Sequence, residues 1–549
     1  MSSLPGQPDA PSGLARASAL LASGTFVSRI LGFISALVLA NTLGTQTSGA
    51  NTFALANQLP NNIYAIIAGG LLSAVFVPQI VRAGLHSDGG QRFINRLVTL
   101  GVIVFLTIAA LATLAAPLLV SLYAELGDGF SAKELALATA FAYWCLPQIL
   151  FYALYSLLGE VLNARGIFGP FTWAPVLNNL VAIAGMVAFA LLFGVIPSHD
   201  DVGSWAPEMI AIIAGSATLG VASQAFVLFF FWRRTGLTYR PDFRWRGVGL
   251  GRAGRAAAWV FGMILVSQIA GIVQTNVATL AGADDPSIAV LRFAWLIFML
   301  PHSIVAVSIG TAYFTRMSGH ARDGALDAVR NDVSSALRAI LFVMVFAAAG
   351  LMVLAYPFSA LFTGAFAEIQ GMGNVVIAFL VGLVPFSVLF VLQRTFYAVE
   401  DTRTPFFIQL VQATLFVLGT LLVAQLPSWA IALGIAAVTT IAGTVQVILA
   451  AVILRRRIGG IDGRVLIAHF AQFFLAAIVS AAVGFSLLVL LGGLENGGFA
   501  VSGTIAAAAA MVAIGTAMTL VYLAVLALIG NRDLISFVAA STARLRRGR

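Results

Sequence analysis

Ala451-Val452-Ile453-Leu454-Arg455-Arg456-Arg457-Ile458-Gly459-Gly460-Ile461-Asp462-Gly463-Arg464-Val465-Leu466-Ile467 sets a knot of arginine between two long apolar runs. Short loops on the cytoplasmic side of a membrane are rich in Lys and Arg because their translocation is disfavoured. Working outward, arginine returns in every second gap. It appears as Arg82, Arg92 and Arg96, as Arg165, from Arg233 to Arg255, from Arg316 to Arg338, and as Arg403. The gaps between carry acids: Glu125 and Asp128, then Asp200, Asp201 and Glu208, then Asp284 and Asp285, then Glu368 and Glu495. Their only base is Lys133, the sole lysine of the chain. The alternation fixes spans and orientation together, as a polytopic membrane protein with both termini in the cytoplasm.

Composition agrees. The chain is 60% hydrophobic and 9% charged, whereas soluble domains run to about 25% charged. A net charge of +9 does not imply nucleic acid, because the bases sit in short loops and form no contiguous soluble face; anionic phospholipids are the expected neighbours. Cys145 is the single cysteine, which excludes an intrachain disulfide and a Cys-ligated cluster. The first sixteen residues are polar and lack a signal peptide's short apolar core and cleavage site, so the first apolar run is expected to be a retained span.

A helix needs roughly 20 apolar residues to cross the hydrocarbon. Such runs begin near residues 17, 50, 97, 134, 171, 207, 256, 287, 338, 372, 404, 428, 465 and 502. Backbone groups in lipid must be satisfied within the segment, so these are helices. The expected fold is all-α, with 14 transmembrane helices.

The chain also echoes itself. Leu59-Pro60, a glycine-rich stretch and Phe76-Val77-Pro78-Gln79-Ile80-Val81-Arg82 are followed later by Leu300-Pro301, Gly310 and Tyr313-Phe314-Thr315-Arg316. Asn163-Ala164-Arg165-Gly166-Ile167-Phe168-Gly169-Pro170-Phe171 is echoed by Val399-Glu400-Asp401-Thr402-Arg403-Thr404-Pro405-Phe406. Six spans separate the copies, so both halves insert the same way, as parallel repeats. The expected division is a cytoplasmic segment 1–16, an N-lobe 17–235 (spans 1–6), a basic linker 236–255, a C-lobe 256–457 (spans 7–12), spans 13–14 at 458–531, and a basic cytoplasmic tail 532–549.

Polar groups within spans are costly and are functional candidates by default. Arg29 in span 1 either faces a cavity and holds an anion or snorkels to the interface. Arg292 in span 8 has Asp284 and Asp285 as nearby partners, so a structural ion pair competes with anion binding. Span 2 holds Asn51, Asn57, Gln58, Asn61 and Asn62 around Pro60. Asn51, Gln58 and Asn62 are spaced for one helical face, and an amide-lined, bent helix suits a wet cavity for sugar and amide groups. The competing reading is interhelical hydrogen bonding, at about 0.6 kcal/mol per contact. Gln268, Gln274 and Asn276 occupy a comparable place in span 7. His302 reads as a packed histidine, His469 and Gln472 as helix–helix contacts, and Asn178 and Asn179 stay open. No metal-ligand spacing, nucleophile elbow or phosphate-cradling loop is present. The chain reads as a transporter that uses no cofactor and no metal, with no catalytic residue.

Together, certain motifs resemble the MurJ/MviN lipid II flippases of the MOP transporter superfamily. They are Ser28-Arg29-Ile30-Leu31-Gly32-Phe33, Asn57-Gln58-Leu59-Pro60-Asn61, Ala68-Gly69-Gly70-Leu71-Leu72-Ser73-Ala74-Val75-Phe76-Val77-Pro78, Asn163-Ala164-Arg165-Gly166 with Pro170 and Ala174-Pro175, and Phe396-Tyr397-Ala398 with Asp401-Thr402-Arg403-Thr404-Pro405. The resemblance implies movement of lipid II from the cytoplasmic to the periplasmic leaflet of the bacterial cell membrane by alternating access. It implies two lobes rocking around a cationic cavity, with spans 13 and 14 lining a lipid-tail groove. It also makes cell-wall synthesis proteins candidate partners. Arg29 and Arg292 would hold the pyrophosphate, and Asn51, Asn57, Gln58, Asn61, Asn62, Gln268 and Gln274 the sugar and peptide. The chain departs from the family at several charged positions. An Arg-Asp pair is replaced by Ser35 and Ala36, an arginine by Tyr64, a glutamate by Gly69 and an aspartate by Asn51. A second-lobe arginine falls on Leu296, one turn from Arg292, and an acidic residue associated with sodium in some members falls on Gln274. Cationic and acidic partners are lost together, leaving a more neutral, amide-rich cavity and putting the pyrophosphate site and sodium coupling in question. Three rival readings are a flippase for another polyprenyl-linked saccharide, a cation-coupled drug exporter of the same superfamily, and a membrane glycosyltransferase. The exporter would need a mid-membrane carboxylate, and the glycosyltransferase a paired catalytic carboxylate at the outer surface.

Overall fold

The structure, a computed structural model, describes residues 10–71, 90–125, 129–165, 167, 169–195, 201–244, 254–282, 285–531 and 533–535. The segment Phe76 to Arg82, Asp128, Asp200, Asp284, residues 245–253 of the linker and the tail beyond 535 lie outside the described residues. Among those described, thirteen helices are long and apolar enough to cross a membrane. The chain is a multi-pass, all-helical membrane protein. The amide-rich run accounts for the difference from fourteen: α2 (Ser48–Leu71) is 24 residues long, but its five amides dilute its apolar content.

The chain forms two compact units, Met1–Gln268 and Ile269–Arg549. The first contains α1 (Ala10–Leu43), α2, α3 (Gln91–Leu114), α4 (Ala116–Ala124), α5 (Ala132–Cys145), α6 (Gln148–Ala164), α7 (Gly169–Phe193) and α8 (Pro207–Trp232). Its boundary with the second falls within α9 (Gly254–Thr279). The second unit continues with α10 (Ile288–Pro301), α11 (Val307–Arg322), α12 (Leu326–Val353), α13 (Ala355–Ser359), α14 (Phe366–Leu380), α15 (Leu383–Ala398), α16 (Arg403–Val423), α17 (Ser428–Ile458), α18 (Gly463–Leu490) and α19 (Thr504–Leu528).

The echo in the sequence is an echo in packing. In the first unit α2 lies on α5 and α6, α3 on α6, α6 on α8, and α7 on α8. In the second, α11 and α12 lie on α15, α15 on α17, and α16 on α17. These are the same pairings of spans. A shared hydrogen bond marks the repeat more finely. Span 4 breaks at Leu146-Pro147 and span 10 at Val381-Gly382. Beside each break a threonine from the last span of the six donates to a carbonyl of the broken one. Thr218 Oγ1 bonds the Trp144 carbonyl at 2.7 Å, and Thr440 Oγ1 bonds the Ala378 carbonyl at 2.9 Å. In lipid a carbonyl left open at a helix break needs such a partner. The two C-terminal helices are an addition to the second unit. α18 packs on α12, and α19 on α18. There Gly484 makes room for Met518, the Ser480 hydroxyl bonds the Met518 carbonyl at 2.7 Å, and the Tyr522 hydroxyl bonds the Phe342 carbonyl at 2.8 Å.

Local sequence explains the ends. Ser131 and Glu134 form a capping box at the start of α5, and the Ser48 hydroxyl donates to the same Glu134 carboxylate at 2.8 Å, tying α2 to α5. The first part of the linker is a strap laid over the start of α3. Arg96 pairs with Asp242 at 2.9 Å, Thr99 bonds the Tyr239 hydroxyl at 3.0 Å, and the amide of Gln91 meets both the N–H and the carbonyl of Thr238. At the other end of the chain, Asp533 faces His469 at 3.2 Å and Arg338 at 3.9 Å, while Asn531 donates to Gln472 at 2.6 Å. His469 and Gln472 are thus contacts to the segment after α19.

Candidate functional site

The amides of α2 do not share one fate. Asn51 and Asn62 are buried, and Asn62 donates to the Tyr123 hydroxyl at 3.4 Å. Asn57 is half-buried and accepts from Gln148 at 3.2 Å. Gln148 is wholly buried and also donates to Thr218 at 3.0 Å, so it joins α2, α6 and α8 in one polar contact. Gln58 is half-buried and Asn61 exposed. Pro60 sits inside α2 without ending it. The helix therefore uses part of its amide set for packing and leaves Gln58 and Asn61 accessible.

Arg29 is exposed on α1, next to the exposed apolar side chains of Phe26 and Ile30. Behind it, Asn179 of α7 donates to the Ser28 carbonyl at 3.0 Å. Asn178 packs against Gly220 of α8, where a Cβ would come within 2.9 Å of the Asn178 backbone oxygen. Both asparagines are helix contacts of the kind small and polar residues make in membranes.

On α9, Gln268 and Gln274 are half-buried, while Asn276 is buried and bonds the Ile272 carbonyl at 3.0 Å. Arg292 is exposed on α10. Pro301 ends α10 and is followed by a wider π turn at His302–Ala306, a local adjustment that can re-satisfy backbone groups freed by proline in a membrane helix. His302 is buried there, 3.1 Å from the Ser387 hydroxyl and edge-on to Phe386.

Sequence reading missed a polar cavity in the second unit. It has a volume of about 320 Å³, with Trp295, Phe298, Phe379 and Phe386 as apolar walls and Gln393, Gln409, Gln412 and Gln446 as its amides. Three of these form a relay: Gln446 donates to Gln409 at 2.8 Å, and Gln409 to Gln412 at 3.0 Å. A neutral donor and acceptor set between aromatic faces suits hydroxyl and amide ligands. The signal available in sequence was the Gln409–Gln412 spacing of three in span 11, which puts both on one helical face.

A different space also borders the α14–α15 break. An apolar groove of about 710 Å³ runs along α12, α14, α15, α17 and α18, with Val345, Val384, Val388, Ile448, Phe470 and Phe474 among its lining. Its lining is almost wholly apolar, the character that hydrocarbon requires. Near the basic loops, Asp332 is buried between Arg316 at 2.7 Å and His320 at 3.0 Å. Asp401 accepts from the Thr404 N–H at 2.9 Å and hydroxyl at 2.7 Å, and pairs with Arg457 at 3.1 Å. The Asp-Thr-Arg-Thr-Pro motif is thus a cap that fastens the start of α16 to the end of α17.

The family model for the lipid II flippase MurJ matches residues 39–527. A probable lipid II flippase MurJ of Haemophilus influenzae is 27% identical over 400 residues, covering 69% of this chain and 75% of its own length. One from Rhizobium meliloti is 28% identical over 449 residues, 79% of each chain. Among solved structures, a lipid II flippase MurJ in an inward closed conformation aligns with a TM-score of 0.72 at 21% identity, covering 94% of this chain and all of that one. An inward-facing multidrug resistance transporter of the MATE family aligns with a TM-score of 0.63 at 16% identity, covering 79% and 94%.

Proposed function

This chain belongs to the MurJ lipid II flippase family, and from that premise we propose that it carries lipid II from the cytoplasmic to the periplasmic leaflet by alternating access, with both termini in the cytoplasm. The observation that carries the reading is the family match over residues 39–527. The physics is compatible with it. Lipid II joins a headgroup of sugar, peptide and pyrophosphate to a polyprenyl tail. Such an amphiphile needs neutral hydrogen-bonding surface, cations, and apolar surface that the tail can occupy.

In this proposal Arg29 and Arg292 hold pyrophosphate, both being exposed cations on spans. Gln58, Asn61, Gln268 and Gln274 contact sugar and peptide directly. Asn51, Asn57 and Asn62, more deeply engaged in packing, hold α2 in place. The apolar groove beside α18 takes the lipid tail. The N-lobe, linker and C-lobe at 17–235, 236–255 and 256–457, with the additional helices at 458–531, serve as its moving parts and tail support.

The test is to deplete the protein and measure lipid II exposed on the periplasmic face. A collapse of exposure while total lipid II accumulates supports the proposal. Unchanged exposure, in cells with no second flippase, refutes it. Export of another polyprenyl-linked saccharide under the same depletion would then identify the substrate.

A further inference from the structure

Arg394 lies in the tenth apolar run, on α15, one turn before that helix ends at Ala398. Ionisable residues in spans are expensive and ordinarily pair with each other or with backbone carbonyls. Among the described residues Arg394 forms neither an ion pair nor a hydrogen bond. Its contacts are aromatic. The guanidinium carbon lies 5.2 Å from the ring centre of Phe314 on α11 and 5.0 Å from that of Phe390, one turn earlier on α15. Contact with ring faces attracts the cation but leaves the five N–H donors of the guanidinium without acceptors.

The setting of this group is built from three elements. Gly310 on α11 admits the Phe390 ring, since a Cβ there would fall 2.6 Å from it. Phe390 also meets His302 edge-on at 5.6 Å, and His302 is held by Ser387. The Arg394 side chain is half-buried. The buried carboxylates of this unit, Asp332 and Asp401, are committed to Arg316, His320, Arg457 and Thr404.

We propose that Arg394, with Phe314 and Phe390, binds a phosphate oxyanion of a membrane lipid. Phosphate supplies both the missing counter-charge and the missing acceptors, and the planar fork of arginine matches two of its oxygens. A phospholipid headgroup and a polyprenyl diphosphate offer the same chemistry. The site goes beyond the flippase reading, because it rests on phosphate whichever lipid carries it.

The full-length protein in detergent micelles is titrated separately with phosphatidylglycerol and with undecaprenyl diphosphate, and bound lipid is counted by native mass spectrometry. Arg394→Gln is expected to weaken binding of at least one of them about tenfold or more, the scale of losing hydrogen bonds to a charged group. Arg234→Gln, which removes an exposed cation stacked on Phe231 in the first unit, is expected to change neither. Loss of phosphatidylglycerol alone marks a structural lipid site, loss of the diphosphate alone a substrate contact, and loss of both a site that reads phosphate only. Equal binding of both lipids by Arg394→Gln and the native protein overturns the proposal. Should Arg394→Gln fail to fold, Arg394→Lys decides: it keeps the charge and loses the fork, so binding weakened severalfold supports the site, and unchanged binding overturns it.

Discussion

Replacing Gln148 tests whether the amides of the first unit are structural before they are anything else. Its side chain is fully buried just after the Pro147 break, with its N–H groups on Asn57 at 3.2 Å and Thr218 at 3.0 Å. Gln148→Leu keeps the volume and removes both bonds. Interhelical hydrogen bonds in membranes average about 0.6 kcal/mol and reach about 1.7, so two of them bracket a loss of about 1–3 kcal/mol. Two features favour the lower end. The Gln148 carbonyl oxygen has no partner among the described residues, so the leucine also removes an unsatisfied acceptor. Asn57 is only half-buried and can recruit another donor. A loss of about 1 kcal/mol follows. Gln148→Glu has similar shape but puts an oxygen against the Asn57 oxygen and introduces an ionisable group into a closed site. Its cost should exceed that of leucine, at about 2–4 kcal/mol. Unfolding in mixed micelles followed by tryptophan fluorescence gives both values. A cycle with Asn57→Ala isolates the shared bond, expected at about 0.6 kcal/mol. Glutamate as well tolerated as leucine, or a coupling of zero, would refute the reasoning.

Gly220→Ala places a Cβ 2.9 Å from the Asn178 backbone oxygen, which cannot rotate away. α7 and α8 must part at a cost of about 1–3 kcal/mol, and an unchanged unfolding midpoint would contradict that close approach. The Asp242 carboxyl is held below its ordinary range by the Arg244 N–H and then by the Arg96 guanidinium. A lowered folded pKa gives stability that is full above about pH 4 and lost as pH falls through the folded value. Protection of the 237–242 strap, corrected for intrinsic exchange, should therefore be flat from neutral pH to that range and fall below it. Asp242→Asn should abolish the step. Ala477→Trp, which fills the groove beside α18, should reduce co-purified polyprenyl lipid; an undiminished lipid load argues against the groove as tail site. Arg29→Ala with Arg292→Ala should impair growth and precursor export together, and unimpaired cells would remove both from the proposed pyrophosphate site.

How much was legible depends on the physics behind each feature. The arginine clusters and twenty-residue apolar runs report a cost paid residue by residue against lipid, so spans could be read directly from order in the chain. The parallel repeat was visible in Leu59-Pro60 and Leu300-Pro301, because helix breakers leave fixed marks. The fate of an amide was not visible. Asn57 and Asn61 stand four apart, yet one meets Gln148 and the other is exposed. The glutamine relay was dispersed over α16 and α17, and the two rings beneath Arg394 come from α11 and α15. Whether a polar side chain packs, lines a cavity or waits for a ligand depends on partners brought by distant helices. Sequence by itself determined the membrane class, the helices and the family motifs, because hydrocarbon acts on each segment separately. Tertiary structure alone decided which amides are spent on packing, where the apolar groove runs and which rings Arg394 meets, because hydrogen bonds and ring contacts exist only between segments already in place.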